Sequence, residues 1–254
     1  MSANLVVSRV SWTKLAPLFC ALLLCCSGYA QQRCAAEAKL LLAPTETHKT
    51  VAALHAGKPS RGQIYLYDTD SLDLLSHGVI VRLRTGAQAD LTVKLRSSEG
   101  ETCKCPSDGG EAGKCEADLV ADATLTSYSV RKAWKDGPFP ETGEQLHSAL
   151  SAEQSQVLRA AGISVDWQRV RRWARIEATY WEARPSGPLK KVTIELWEWP
   201  GGAILELSAK TDLQNGAAAL RELRATAERN AIALPEKQVA KTTVVLQAPL
   251  VSAH

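Results

Sequence analysis

The chain has 254 residues, of which 45% are hydrophobic and 22% charged, with 30 basic and 27 acidic side chains and a formal net charge of +3. This near balance argues against a general nucleic-acid-binding protein, in which basic charge would dominate. The length suits one large β-rich domain or two small ones, and no repeat or Pro/Gly-rich linker divides the sequence.

The first 30 residues have the pattern of a cleaved signal peptide. Arg9 and Lys14 are their only charges, residues 15–26 form an apolar run, and Gly28 and Ala30 are small residues suited to cleavage. The apolar run is too short to span a bilayer comfortably. We therefore predict an exported protein, periplasmic or extracellular, with no stable membrane insertion after cleavage. A lipoprotein signal is the alternative, because cysteines close the apolar run.

A strand is predicted over residues 33–42, followed by a helix over residues 47–56 that Gly57 ends. The clearest pattern then covers residues 62–96, which indicate two or three strands with charge at every second residue. The side chains of Arg82 and Arg84 project from the same face of an extended strand, and the side chain of Lys94 projects from one face of the next strand, opposite its apolar neighbours.

A sheet that is apolar on one face and cationic on the other has two interpretations. It is either an ordinary half-solvated antiparallel sheet or an inward-facing wall for a polyanion. Arginine suits the second role because its planar fork binds two phosphate oxygens at once, whereas lysine acts as a point charge.

Four cysteines follow the predicted cleavage site: Cys34, Cys103, Cys105 and Cys115. In an oxidising compartment an even count favours two disulfides, although four cysteines allow three pairings. Residues 103–115 could alternatively bind a metal through three thiols, but they contain no histidine. We predict that all four cysteines are oxidised.

The alternation of charged and apolar residues resumes after the cysteines. Lys114, Glu116 and Asp118 share one face of a predicted strand, and residues 169–181 form another. A hairpin joins residues 191–199 to residues 203–210, and Glu206 and Lys210 share a face of its second strand.

Two further helical regions are predicted, over residues 138–163 and 212–230, the latter with apolar residues at spacings of three and four. The sequence leaves residues 128–134 open between a strand and a short helix. The tail, residues 241–251, is predicted to add a strand.

The motifs of residues 62–96 form an ordered series that resembles the CYTH domain of the triphosphate tunnel metalloenzymes: Tyr67-Asp68-Thr69, Leu72, Leu75, Gly78, Arg82, Arg84 and Leu91-Thr92-Val93-Lys94. In that family an antiparallel barrel closes into a tunnel lined with Arg and Lys for a triphosphate chain, with carboxylates for a divalent metal. The resemblance therefore implies an α+β fold, mainly antiparallel β, with an eight-stranded closed or nearly closed barrel and flanking helices. We expect residues 31–254 to form this single domain.

The resemblance also implies a set of site residues. The phosphate-binding positions are Lys39, Arg82, Arg84, Lys94, Lys114, Arg175 and Lys210. The metal-binding positions are Glu37, Glu116, Asp118 and Glu206. Arg171 is nearly as good a choice as Arg175, because one sequence does not determine the register of a strand.

Ala35 and Ser208 stand where the family has carboxylates, so Mg or Mn should be held weakly. Three functions then fit: a metal-dependent triphosphate hydrolase, a binding protein that has lost catalysis, and a structural or interaction protein on the same barrel. Losing one basic residue weakens anion binding gradually, whereas losing metal ligands removes the step that activates water. We therefore favour binding of a tripolyphosphate-like anion, with weak hydrolysis or none, and assign no catalytic residue.

Overall fold

The computed structural model describes residues 35–86, 89–97, 113–121, 123–135 and 137–248. The predicted signal peptide lies outside these residues, as do Cys34, Cys103 and Cys105. Export and cysteine oxidation therefore stay predictions. Within the described segments, no helix combines the length and apolar character that a membrane crossing requires.

The described residues form nine strands: β1 (Ala35–Leu42), β2 (Ser60–Asp68), β3 (Val79–Arg84), β4 (Asp90–Arg96), β5 (Gly113–Val120), β6 (Ala123–Ala133), β7 (Arg171–Ala183), β8 (Val192–Trp199) and β9 (Gly202–Asp212). They close into a barrel in the order β1-β5-β6-β4-β3-β2-β7-β8-β9. The pairing of β1 with β5 is parallel, and the other pairings are antiparallel.

The predicted closed, mainly antiparallel barrel is confirmed, with one parallel pairing, but the predicted count of eight strands is wrong. The region that sequence analysis left open, residues 128–134, falls mostly in β6. This strand pairs with β4 on one side and β5 on the other, and both ladders require an extended backbone.

Six α-helices flank the barrel in the part of the chain that the structure describes: α1 (Thr47–Ala53), α2 (Asp73–Ser76), α3 (Gly143–Ala149), α4 (Ala152–Ala160), α5 (Gly216–Arg229) and α6 (Lys241–Gln247). Helices α3 and α4 each begin at a capping box, formed by Thr142 with Gln145 and by Ser151 with Gln154.

The tail forms helix α6 rather than the predicted strand. Thr242, Val245 and Leu246 are spaced as one face of a helix and are buried. Val245 and Leu246 pack with Trp197 and Ile204, so α6 covers the apolar end of the barrel.

The barrel is apolar on the outside, where helices cover it. Helix α5 packs on β1 and β9 through a cluster that includes Leu40 and Leu223. Helices α3 and α4 pack on the other side through a cluster that includes Leu83 and Leu146. Because side chains alternate along each strand, the polar residues of these strands face the interior.

Several residues of the motif series have structural roles. The buried carboxylate of Asp68 accepts hydrogen bonds from the backbone N–H groups of Thr69, Leu74 and Leu75, at 2.8, 2.9 and 3.0 Å. Gly78 has φ +72°, and a Cβ there would lie 2.4 Å from the carbonyl oxygen of Arg96. These residues therefore shape the turn from β2 through α2 into β3.

Replacing Asp68 by Ala should lower the free energy of unfolding by about 2 kcal/mol, because three backbone N–H groups lose their acceptor. Urea unfolding measures this change. Asp73→Ala is the matched control, since its carboxylate makes an ion pair of 3.8 Å with Arg169 on the surface, and we expect a change within about 0.5 kcal/mol. Equal losses in both variants would contradict the role given to Asp68.

Candidate functional site

The inner faces of the strands enclose a cavity of about 1640 Å³, which extends to a mouth where Lys58 and Lys190 are exposed. The described residues that line it include 14 basic and 8 acidic side chains, an excess of six positive charges. The formal net charge of the whole chain is only +3. Positive charge is therefore concentrated in this cavity.

Most of the predicted site residues meet here. Of the seven predicted phosphate-binding residues, six line the cavity: Lys39, Arg82, Arg84, Lys94, Lys114 and Lys210. The four predicted metal-binding carboxylates also line it: Glu37, Glu116, Asp118 and Glu206. The structure thus brings the two sets together, while what they bind stays a prediction.

The predicted position of Arg175 is wrong. Its side chain is 57% exposed, it lies 3.1 Å from a carboxylate oxygen of Glu177, and it is not among the residues that line the cavity. The alternative, Arg171, pairs instead with Asp70 near the surface and does not line the cavity either.

Strand register explains the error at β7, where a bulge also interrupts the alternation of faces. Between Leu66 and Tyr67 of β2, the register with β7 shifts, so that Leu66 pairs with Ala174 and Tyr67 with Arg172. An extra residue in one strand reverses the alternation beyond it, so residues on the two sides of the bulge no longer share a face. Arg175 and Tyr180 lie on the same side of the bulge and are five residues apart, so Arg175 faces outward while Tyr180 lines the cavity.

Asp118 is the centre of a cluster of three cations. Its carboxylate lies 2.8 Å from Nζ of Lys39, 3.1 Å from Nζ of Lys94 and 3.7 Å from Nη2 of Arg96, and its side chain is 4% exposed. Burial alone would raise the pKa of Asp118, but the neighbouring cations hold it well below its usual range. One carboxylate thus neutralises part of the charge of three cations.

The two lysines beside Asp118 differ in their ionisation. Burial disfavours the charge of Lys39, but the carboxylates of Asp118, Glu37 and Glu206 raise its pKa above the usual range. Burial lowers the pKa of Lys94 to about 8, and Lys39 and Arg96 act in the same direction against Asp118. Lys94 is therefore a cavity cation that loses its proton in the mildly alkaline range.

This shift predicts a pH dependence of stability. Between the folded pKa of about 8 and the unfolded value of about 10.4, the unfolded chain holds more protons at Lys94 than the folded chain does. The Lys94 contribution to the free energy of unfolding should therefore rise with pH across this window. Urea unfolding at pH 7.5 and 9.5 should show a larger rise for the parent than for Lys94→Met, and identical pH profiles would contradict the assignment.

The arginines of β3 and β4 differ in their hydrogen-bond and ion-pair partners. Arg84 donates from Nε to Oδ1 of Asp90 at 3.1 Å, whereas Arg82 has no ion pair among the described residues. The Nε atoms of Arg82 and Arg96 are buried without a hydrogen-bond partner in that part of the chain. Burial, with Arg84 close by, lowers the pKa of Arg82 to about 10. Among the described residues, Arg82 is thus a cavity guanidinium group without an anionic partner, whereas Arg96 has an unpaired Nε but lies close to Asp118.

Sequence reasoning missed Lys241, which reaches the cavity from α6. Its Nζ donates to Glu195 and lies 2.7 Å from Oε1 of Glu206. The missed signal was the helical spacing of the buried residues that follow Lys241 in the tail. Arg96 was also missed, although it lies two residues after Lys94 and so shares its strand face.

The carboxylates do not converge on a metal ion. Within the described part of the chain, no three His, Cys, Asp or Glu side chains form a group that could hold one. Glu37 lies 3.2 Å from Lys39, Glu116 lies 2.5 Å from Lys114, and Asp118 and Glu206 contact the lysines described above. Since Mg and Mn require several convergent oxygen ligands, the arrangement does not fit the predicted metal site.

Comparison with solved structures shows where this fold occurs. An adenylyl cyclase candidate from Hippeastrum, described as having a dominant triphosphatase activity, superposes with a TM-score of 0.56 at 16% identity, over 85% of this chain and 97% of that chain. An adenylate cyclase candidate from Bacillus halodurans gives 0.54 at 14% identity, over 83% and 97%. No protein-family model and no curated protein sequence matches the chain. The resemblance to the triphosphate tunnel proteins is confirmed for the fold.

Proposed function

We propose that this chain is an exported protein that uses its tunnel-barrel fold to bind a linear triphosphate or polyphosphate, and that it hydrolyses this anion slowly or not at all. The observation that carries the proposal is Arg82, a cavity-lining arginine whose buried Nε has no partner in the described residues. A buried charged group without a partner is strongly destabilising, so it indicates a ligand that supplies the missing acceptor.

The charge of the cavity supports a polyanion rather than a singly charged ligand. A linear triphosphate carries roughly four to five negative charges near neutral pH, close to the excess of six positive charges on the lining residues. Arg82 and Arg96 could each donate to phosphate oxygens, and charge-assisted bonds of this kind are the strong ones. The triphosphatase activity described for the Hippeastrum protein supports a triphosphate as the probe ligand.

We expect slow hydrolysis because the carboxylates of the cavity are paired with basic side chains. Metal-assisted phosphoryl hydrolysis requires an ion that activates water or neutralises the developing charge. Here Glu37, Glu116, Asp118 and Glu206 are bonded to basic side chains rather than converging on one point. We therefore derive no catalytic step.

The test combines binding with turnover. Tripolyphosphate is titrated calorimetrically into the purified chain with and without Mg or Mn, and phosphate release is measured in the same samples. We expect saturable binding in every sample and little phosphate release. Brisk release with Mn would show that the carboxylates do form a working metal site, and absence of saturable binding would favour the structural or interaction protein.

Anion affinity should depend on pH in the opposite sense from stability. A pKa of about 8 leaves roughly one Lys94 in ten protonated at pH 9. Because the bound anion favours the charged lysine, we expect affinity for tripolyphosphate to fall roughly tenfold between pH 7 and pH 9. Calorimetry at constant ionic strength measures the fall, which should be absent in Lys94→Met. A fall of the same size in that variant would assign the effect to another group.

A further inference from the structure

Two carboxylates stand side by side inside the barrel. Glu195 of β8 and Glu206 of β9 are cross-strand partners, and their side chains are 15% and 3% exposed. Like charges directly opposite each other on a sheet repel, and burial strengthens that repulsion. The pair therefore needs a cation between its members.

Lys241 supplies this cation from the first turn of α6. Its Nζ contacts Glu195, lies 2.7 Å from Oε1 of Glu206 and lies 4.7 Å from the centre of the Trp197 ring, and its side chain is 11% exposed. The indole N–H of Trp197 donates to Glu195 at 2.6 Å. Ammonium, indole and carboxylates thus form one closed cluster.

The segment that carries Lys241 is fixed on both sides. Before it, the side-chain amide of Gln238 exchanges hydrogen bonds with the backbone of Leu41, accepting at 2.7 Å and donating at 2.9 Å. After it, Val245 and Leu246 are buried in the apolar end of the barrel. A tethered ammonium therefore stays at the carboxylate pair at high effective concentration.

We infer that Lys241 is a built-in cation that occupies the place of a divalent metal between Glu195 and Glu206 and so excludes Mg or Mn from this carboxylate pair. The inference goes beyond the proposed function, because it concerns which cation the carboxylates hold and not which anion the cavity binds. It rests on geometry: a single ammonium already satisfies both carboxylates, and a divalent ion would have to displace it. Removing the ammonium leaves two buried carboxylates that must either take up a proton or bind another cation.

Binding of Mn²⁺ alone tests this inference. Electron paramagnetic resonance counts free Mn²⁺ during titration of the full chain in the absence of phosphate. We expect Lys241→Met to bind one Mn²⁺ at least tenfold more tightly than the parent, and Lys241→Met with Glu206→Gln to lose this gain. Lys237→Met is the matched control, since Lys237 is exposed on the same segment, and it should behave as the parent.

Two results would overturn the inference. One is a parent protein that already binds one Mn²⁺ tightly, with no further gain in Lys241→Met. The other is a folded Lys241→Met that binds Mn²⁺ as weakly as the parent. Lys241→Gln is a second variant, should the Met variant not fold, and the same gain is expected of it. Because no phosphate is present, failure of this test is distinct from failure of the proposed anion binding.

Discussion

Replacing Arg82 by Met should make the free protein more stable and weaken its binding of tripolyphosphate at the same time. The guanidinium group of Arg82 has no ion pair in the described residues and its Nε is buried, so an apolar side chain of similar length removes a desolvation penalty. We expect the free energy of unfolding to rise by about 1–2 kcal/mol. Losing a charge-assisted contact should weaken anion binding by about 1.5–3 kcal/mol, which is roughly one to two powers of ten.

Arg175→Met is the matched control for both measurements. Arg175 lies on the outer face of β7, half exposed beside Glu177, so we expect no change in affinity and a change in stability within about 0.5 kcal/mol. Urea unfolding and calorimetry give the two quantities. If Arg82→Met bound tripolyphosphate as well as the parent, the cationic face would be only a polar sheet surface.

Replacing Asp118 by Asn should destabilise the protein by about 3–5 kcal/mol, because Lys39, Lys94 and Arg96 lose the carboxylate that they share. A polyanion could supply the missing negative charge, so tripolyphosphate should stabilise Asp118→Asn more than it stabilises the parent. Urea unfolding with and without tripolyphosphate measures both effects. Equal stabilisation of the two proteins by tripolyphosphate would show that the anion does not bind at the cations beside Asp118.

Glu116→Gln is the control for this variant. Glu116 contacts one lysine, Lys114, which is half exposed, so its loss should cost no more than about 1 kcal/mol.

The destabilisation caused by Asp118→Asn should also depend on pH. The pKa of Asp118 is depressed in the folded state, so its contribution is present above the unfolded pKa of about 3.9 and is lost as pH falls below that value. The difference between parent and Asp118→Asn should therefore shrink in acid.

Alternation of charge along single strands predicted most of the cavity. Arg82, Arg84 and Lys94 face the interior because side chains two apart on a strand share a face, and this holds without knowledge of the neighbouring strands. The closure of the barrel was predicted from several such strands, whose polar faces are buried only if they face one another. Residues 128–134 were left open between a strand and a short helix, and pairing with both β4 and β5 places most of them in β6.

The errors arise where geometry depends on tertiary contacts. Arg175 lies on the outer face because it pairs with Tyr65 of β2 and stands five residues before the cavity-lining Tyr180, and one sequence does not determine that register. Helix α6 contains β-branched residues typical of a strand, yet its buried face follows helical spacing. The role of Lys241 could be found only after α6 was placed at the end of the barrel.

The groups that the carboxylates contact also could not be predicted from the sequence. Glu37 and Asp118 were predicted as metal ligands from the resemblance, whereas each contacts Lys39 in the structure. An acidic residue beside a basic residue on a neighbouring strand can serve either purpose. Only distances between side chains distinguish an ion pair from a group of converging metal ligands.

The most direct test of the account is calorimetric titration of tripolyphosphate into the chain in excess EDTA. We expect one anion bound per chain without any divalent metal, with an affinity that falls as salt is added, because ionic contacts dominate. Arg82→Met should lose most of this affinity and Arg175→Met none of it. A folded chain that shows no saturable binding in EDTA, or that binds only when Mg or Mn is restored, would contradict the claim that its own cations form the anion site.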